Sequence, residues 1–359
     1  MRSIDRTKTV VGLLAVGLVA LAGGFALAAE EDESDPLIEM IIELVGDEDR
    51  DMRALGLQQI REEAPGEAAT KRFAALLARL APEGQAELLG ALGDRQDAAA
   101  RPAVLEMIES REESVRAAAL RALGGLGGED DVALLAKSTT AAGEPQRAAC
   151  ESLVRLRGEG IDAAIVAAMG EAEPDVRAEL LGVLARRNAK DSLPAVLESA
   201  KDTESQVRVA ATAALRFLAD ETHTAAIVEL LKDMEDEAEL RKAELALLAV
   251  CSRSGEACSE AVIAGMEGAG PEARIALLHA LARAGGAAAQ ETILARLKDE
   301  DKRVRDEAVR MLSGSSDPAV VPRLLEIAKK SESLRHHVLA IRGLVRLSAP
   351  RGDEPAKLE

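Results

Sequence analysis

Tryptophan and tyrosine are absent from this chain, and phenylalanine occurs only at Phe25, Phe73 and Phe217. Aromatics make up 1% of a sequence that is 48% hydrophobic, so the apolar mass is Ala, Leu, Val and Ile. These residues pack helices closely but supply few of the large anchors on which a compact binding hot spot is built. Histidine is limited to His223, His279, His336 and His337. The last two are adjacent, and adjacent residues do not share a helix face, so they form no metal pair. There is no H-x-x-x-H, no G-x-S-x-G and no phosphate-binding glycine loop. The cysteines are Cys150, Cys251 and Cys258, with no Cys/His spacing of a zinc site. These absences leave no catalytic, metal or cofactor constellation to assign. The chain reads as a non-enzyme without a cofactor.

Positive charge is in deficit as well. There are 63 acidic against 45 basic residues, a net charge of −18 over 359 residues. That balance opposes binding to nucleic acid or anionic headgroups, keeps a protein soluble, and favours basic partners or cations. The acidic run DMEDEAE, residues 233–239, lacks the central glycine and alternating ligands of an EF-hand and reads as a solvated turn. Arg351-Gly352-Asp353 spells an adhesion tripeptide, which in a terminal tail reads as a chance match.

At the N-terminus, Arg2, Arg6 and Lys8 precede an apolar run from Val10 to Ala28. The run closes on Ala26-Leu27-Ala28, and an acidic stretch begins at Glu30. This order is that of a secretory signal peptide over residues 1–28, followed by an acidic linker at 29–34. It places the protein in the periplasm or cell envelope, with no membrane insertion after cleavage. The alternative is an uncleaved anchor in the inner membrane, because the run approaches the length of a span. Export permits disulfides. Cys251 and Cys258 flank a turn-like SRSGEA and are a possible pair, though on one continuous helix they would stand about 10 Å apart, too far to bond. Cys150 occupies a small, apolar helix position and reads as a buried thiol.

What the sequence has in abundance is repetition. Short apolar–Arg–Ala/Leu stretches recur with markers at 53, 85, 116, 147, 177, 208, 241, 274, 305 and 335, spaced by 30 to 33 residues. Such a period signals a repeat architecture. Each unit holds two amphipathic helix patterns. In the ninth, Val304, Ala308 and Leu312 lie on one face, Ile293, Leu294 and Leu297 mark a preceding helix, and residues 318–330 open the next unit. One helix pair cannot bury its apolar stripe alone, so ten pairs stack into one core. Small residues such as Ala119, Ala211 and Ala308 let adjacent layers approach. In the copy ESVRAAALRALGGLG, residues 113–127, Val115 and Ala119 point inward, Arg116 ties to the neighbouring layer, and the glycines after Leu123 end the helix.

The pattern D-x-x-V-R-x-x-A-x-x-A-L followed by A-V-x-x-L-L resembles a HEAT repeat. Its short period resembles the phycobilisome-lyase HEAT-like variety. The resemblance covers residues 35–348, leaving 349–359 as a disordered tail. It implies an all-α fold, an α-solenoid superhelix of about ten two-helix HEAT-like repeats behind a signal peptide. It also implies a ladder of Arg53, Arg116, Arg147, Arg177, Arg208, Arg241, Arg274, Arg305 and Arg335 with aspartates near the A–B turns. The expected pairs are Arg177 with Asp175, Arg208 with Asp202, and Arg305 with Asp301, and Gln85 interrupts the series. The implied function is an exported, monomeric scaffold that binds a protein partner along a long curved surface. The positions one, two and five after each marker supply a partner-binding face of Arg121, Glu179, Lys242, His279, Arg310 and His336. The alternative is an accessory factor or lyase-like enzyme acting on a tetrapyrrole or other cofactor.

Overall fold

The computed structural model describes residues 35–348; the expected signal peptide and linker, and the tail with Arg351-Gly352-Asp353, lie outside them. Every regular element among the described residues is helical. Ten pairs follow one another: α1 (Pro36–Val45) and α2 (Arg50–Glu62), α3 (Glu67–Ala74) and α4 (Pro82–Arg95), α5 (Arg101–Met107) and α6 (Glu113–Leu126), α7 (Val132–Ser138) and α8 (Glu144–Arg155), α9 (Ile161–Gly170) and α10 (Pro174–Arg187). The second half continues with α11 (Leu193–Ser199) and α12 (Ser205–Leu218), α13 (Thr224–Asp233) and α14 (Glu237–Ser254), α15 (Ser259–Ala264) and α16 (Pro271–Ala284), α17 (Ala287–Ala295) and α18 (Lys302–Gly314), and α19 (Val321–Lys330) and α20 (Leu334–Ser348). Odd-numbered helices are the A helices and even-numbered ones the B helices. Short 3₁₀ turns extend several A helices, such as Lys190–Ser192 ahead of α11. This is the α-solenoid that the period implies.

Local chemistry sets the helix boundaries. Pro82, Pro174 and Pro271 stand in the first turn of α4, α10 and α16, where their missing N–H is no loss. Asp49, Asp236 and Asp301 precede α2, α14 and α18, and their carboxylates accept from the first free N–H groups. The core is continuous along the array. Ile60, Leu92, Leu123, Leu184, Leu215, Leu281 and Leu312 each follow their marker by two helical turns, and all are sealed from solvent. Each such side chain contributes about 1.5–3 kcal/mol of burial. Val115, Ala119, Ala211, Val304 and Ala308 are buried as their pattern predicts.

Of the glycines after Leu123, only Gly127 ends the helix as the sequence leads one to expect. Gly124 and Gly125 lie inside α6, which stops at Gly127. They are required by close approach. A Cβ on Gly124 would meet the Cα of Ser152 at 3.0 Å, and one on Gly125 would meet the Gly93 carbonyl oxygen at 2.5 Å. B helices pack against B helices along the whole array, whereas A helices touch their A neighbours only in places.

The marker arginines bind differently from expectation. In Arg53, Arg116, Arg208 and Arg305, Nη1 donates to the two carbonyls five and six residues upstream, at 2.7–3.2 Å. Arg177 donates to the Ala172 carbonyl at 2.8 Å. These carbonyls lie where helix A has ended, so the arginine holds its own A–B turn. Arg116 therefore ties to its own unit and not to the neighbouring layer. The pairings of Arg177 with Asp175, of Arg208 with the Asp202 carboxylate and of Arg305 with Asp301 are replaced. Asp301 caps α18, and the Asp202 carboxylate accepts from the Glu204 N–H and from Arg177 of the preceding repeat at 3.0 Å. Links to the next repeat run from Arg53 to Glu87, Arg177 to Asp202, Arg208 to Glu239 and Arg274 to Asp299. Arg335 reaches back to Asp306 at 3.9 Å. Arg147 and Arg241 instead take exposed glutamates within one turn, Glu144 and Glu237, and stand outside the ladder. Gln85 makes no link to a neighbouring repeat, and donates its amide within its own unit to the Leu77 carbonyl at 2.8 Å.

A second set of arginines has no counterpart in the sequence reading. Arg95, Arg187, Arg253 and Arg346 close α4, α10, α14 and α20, and each reaches the carbonyls at the end of the preceding B helix. Arg187 spans those of Leu153, Val154 and Leu156 at 2.7–3.1 Å. Arg253 takes Arg216 and Ala219, and Arg346 takes Ser313 and Ser315. Arg95 takes Ile60, Glu63 and Ala64. They satisfy carbonyls that a helix end leaves free. A basic residue in the last turn of these B helices was the available signal.

Candidate functional site

The B-helix side carries the six residues expected to form a partner-binding face, and five of them are joined to neighbouring repeats. Arg121 on α6 pairs with Glu144 and Glu151 of α8. Glu179 on α10 accepts from the Gln146 amide at 3.2 Å and from the Cys150 thiol at 3.7 Å. His336 on α20 meets Asp306 of α18 at 2.7 Å. Lys242 on α14 is exposed and, among the described residues, has no hydrogen-bond or ion-pair partner. The expected face is thus largely a polar seam between layers, because positions that point along the stack find the next repeat within reach.

The most developed part of the seam spans three repeats. His279 on α16 meets Glu244 of α14 through Nδ1 and Glu307 of α18 through Nε2, the second contact at 2.7 Å. Arg310, one turn after Glu307, donates to both of its carboxylate oxygens at 2.7 and 2.8 Å. Burial alone would lower the imidazole, but the two carboxylates outweigh it and raise His279 to about 9. Burial likewise opposes ionisation of Glu307, and the hydrogen bonds from His279 and Arg310 hold it below its ordinary value. With two carboxylates facing one imidazolium and one guanidinium, the charges close on themselves. The group works as a rivet across α14, α16 and α18.

An opening lies between α8 and α10, which touch far less than the B helices on either side. The cleft holds roughly 450 Å³ and is lined by Gln146, Arg147, Cys150, Glu151, Glu179, Gly182 and Arg186. Gly182 helps to open it, since a Cβ there would meet nothing within 4 Å. Burial first, and then the Glu179 carboxylate, push the Cys150 thiol up to about 11. It stays protonated at neutral pH and is a poor nucleophile. The cleft offers donors, acceptors and both signs of charge on walls that also expose carbon.

Cys251 and Cys258, expected as a possible disulfide, are buried free thiols. Cys251 closes α14, and Cys258 ends the 3₁₀ turn Gly255–Cys258, so both point into the core. Burial and the neighbouring Cys258 push Cys251 up to about 12. Among the described residues, no group of three or more His, Cys, Asp or Glu is placed to hold a metal ion, and no helix is long and apolar enough to cross a membrane.

A family model described as HEAT repeats matches residues 69–154, 161–248 and 259–342. No curated protein matches the chain. Among solved structures, the karyopherin Kap121p bound to the extreme C-terminus of the phosphatase Cdc14p matches at 15% identity and a TM-score of 0.52, over 87% of this chain and 41% of that one. Kap121p bound to Ste12p matches at 15% identity and a TM-score of 0.50, over 89% and 45%. An engineered protein matches at 18% identity and a TM-score of 0.36, over 87% and 99%. The chain therefore spans less than half of the karyopherin's length, and at such identities the likeness is one of fold.

Proposed function

The chain belongs to the HEAT-repeat family, and from that premise we propose that it is an exported scaffold that holds a protein partner along its B-helix side. The observation that carries the proposal is the open, mixed-charge cleft between α8 and α10, set in a continuous B-helix surface. Affinity comes from many modest polar contacts over that surface, in keeping with the lack of aromatic anchors. The karyopherin structures offer a precedent for the fold, since Kap121p is seen there with protein partners. Export rests on the basic, apolar and small-residue order of residues 1–28.

The test is crosslinking and pull-down from the envelope fraction, comparing wild type with a Lys242→Glu/Arg186→Glu variant. Arg310 is left unchanged, because its loss would break the rivet. A partner enriched by wild type and lost by a variant of unchanged melting temperature supports the proposal. Equal capture by both removes the B-helix surface from consideration.

A further inference from the structure

The last B helix ends the described array with an uncovered apolar stripe. Leu334, Val338, Ile341 and Val345 are 77%, 39%, 42% and 62% exposed. Their spacing of four, three and four residues sets them on one helix face. Leu334 precedes its marker by one residue and Val338 follows it by three. The equivalent residues of α18, Val304 and Ala308, are sealed. The stripe is thus a stacking surface, where a solenoid ordinarily ends in a polar outer face.

The other end of the array matches it. Met40 on α1 and Met52 and Leu55 on α2 are 48%, 40% and 44% exposed. Charge is opposite at the two ends. Residues 35–65 hold nine acidic residues against three arginines, while residues 318–348 hold six Lys and Arg against two Glu. In a chain whose net charge is −18, the C-terminal repeat is a basic exception.

We propose that the protein assembles head to tail, with α20 of one copy stacking on the α1–α2 pair of the next. Both apolar surfaces are covered in this contact, and the basic end meets the acidic end. The stripe would also be self-complementary in an antiparallel pairing, Leu334 opposite Val345 and Val338 opposite Ile341. That arrangement brings the exposed Arg342 of both copies together with no acidic residue on α20 to offset them, so charge selects the head-to-tail contact. Residues 349–359 offer one large apolar residue, Leu358, against a stripe of four. A head-to-tail contact leaves both outer ends free, so it propagates into short linear chains. It departs from the monomer that the sequence reading expects.

Sedimentation velocity of the purified full chain across a concentration series tests this. The weight-average mass should rise past that of a dimer, and added salt should reduce it. Val338→Glu/Ile341→Glu at one end and Met52→Lys/Leu55→Lys at the other should each abolish growth. Mixed together, the two variants should form a one-to-one dimer, because each keeps one working end. Circular dichroism on each variant confirms that these exposed substitutions leave the fold intact. A wild type that stays monomeric overturns the proposal, as does growth that stops at a dimer indifferent to Met52 and Leu55. Association that persists in both variants overturns it too, since they share residues 1–34. Binding of the wild type to anionic vesicles without self-association would reassign the stripe to a lipid surface.

Discussion

Replacing His279 by Gln removes the one cation that touches both Glu244 and Glu307, and its effect should depend on pH in a defined direction. The folded imidazole stands at about 9 against an ordinary 6.5. At about 1.4 kcal/mol per pH unit, the folded state favours the charged ring by about 3 kcal/mol. A folded value raised above the unfolded one gives stability that is complete below pH ~6.5 and is lost as pH rises through ~9. The stability gap between wild type and His279→Gln should therefore be about 3 kcal/mol at pH 6 and should close towards zero near pH 10. The assay pairs urea melts at pH 6, 8 and 10 with an NMR titration of the four histidine rings. Glu244→Gln should lower the His279 midpoint, because it removes the partner at Nδ1. A His279 that titrates near 6.5, or a gap equal at pH 6 and pH 10, would refute the reasoning.

Arg187→Ala should destabilise the protein by about 2–3 kcal/mol, since it frees three carbonyls at the end of α8; faster hydrogen exchange of α8 and α10 relative to distant repeats checks this. Gly125→Ala should lower stability by about 1–3 kcal/mol, because its methyl would press on the Gly93 carbonyl. Gly90→Ala, on an exposed helix face with open space around it, should raise stability by about 0.5–1 kcal/mol, and thermal melts of the pair decide both signs. In the native protein Cys150, Cys251 and Cys258 should resist thiol reagents and react only after denaturation; an intact-mass shift on mild labelling would contradict their burial.

The period alone located all ten helix pairs, because a hydrophobic stripe of helical spacing has few other ways to be buried. Finer partnerships were less legible. Whether Arg305 meets the Asp301 carboxylate or the backbone of residues 299 and 300 depends on turn geometry, and both lie within reach along the sequence. Gln85 was legible as a gap between repeats, but not its bond to Leu77, because an amide reaches a carbonyl inside its own unit as an arginine does. His279, His336 and Glu179 were singled out as exposed. Their carboxylate and amide partners lie about thirty residues away in sequence and one repeat away in space. Gly124 and Gly125 were read as helix stops, since nothing local distinguishes a stop from a crossing point.

The loosely joined seam between α8 and α10 also has a mechanical meaning. A hinge needs one side held and the other free, and here α7 and α9 keep their contact while α8 and α10 stand apart. Opening of the B-helix side at this joint, about the α7–α9 contact, would change the width of the cleft that Gln146 and Glu179 share. The grip on anything seated there would then vary with how far the joint is opened.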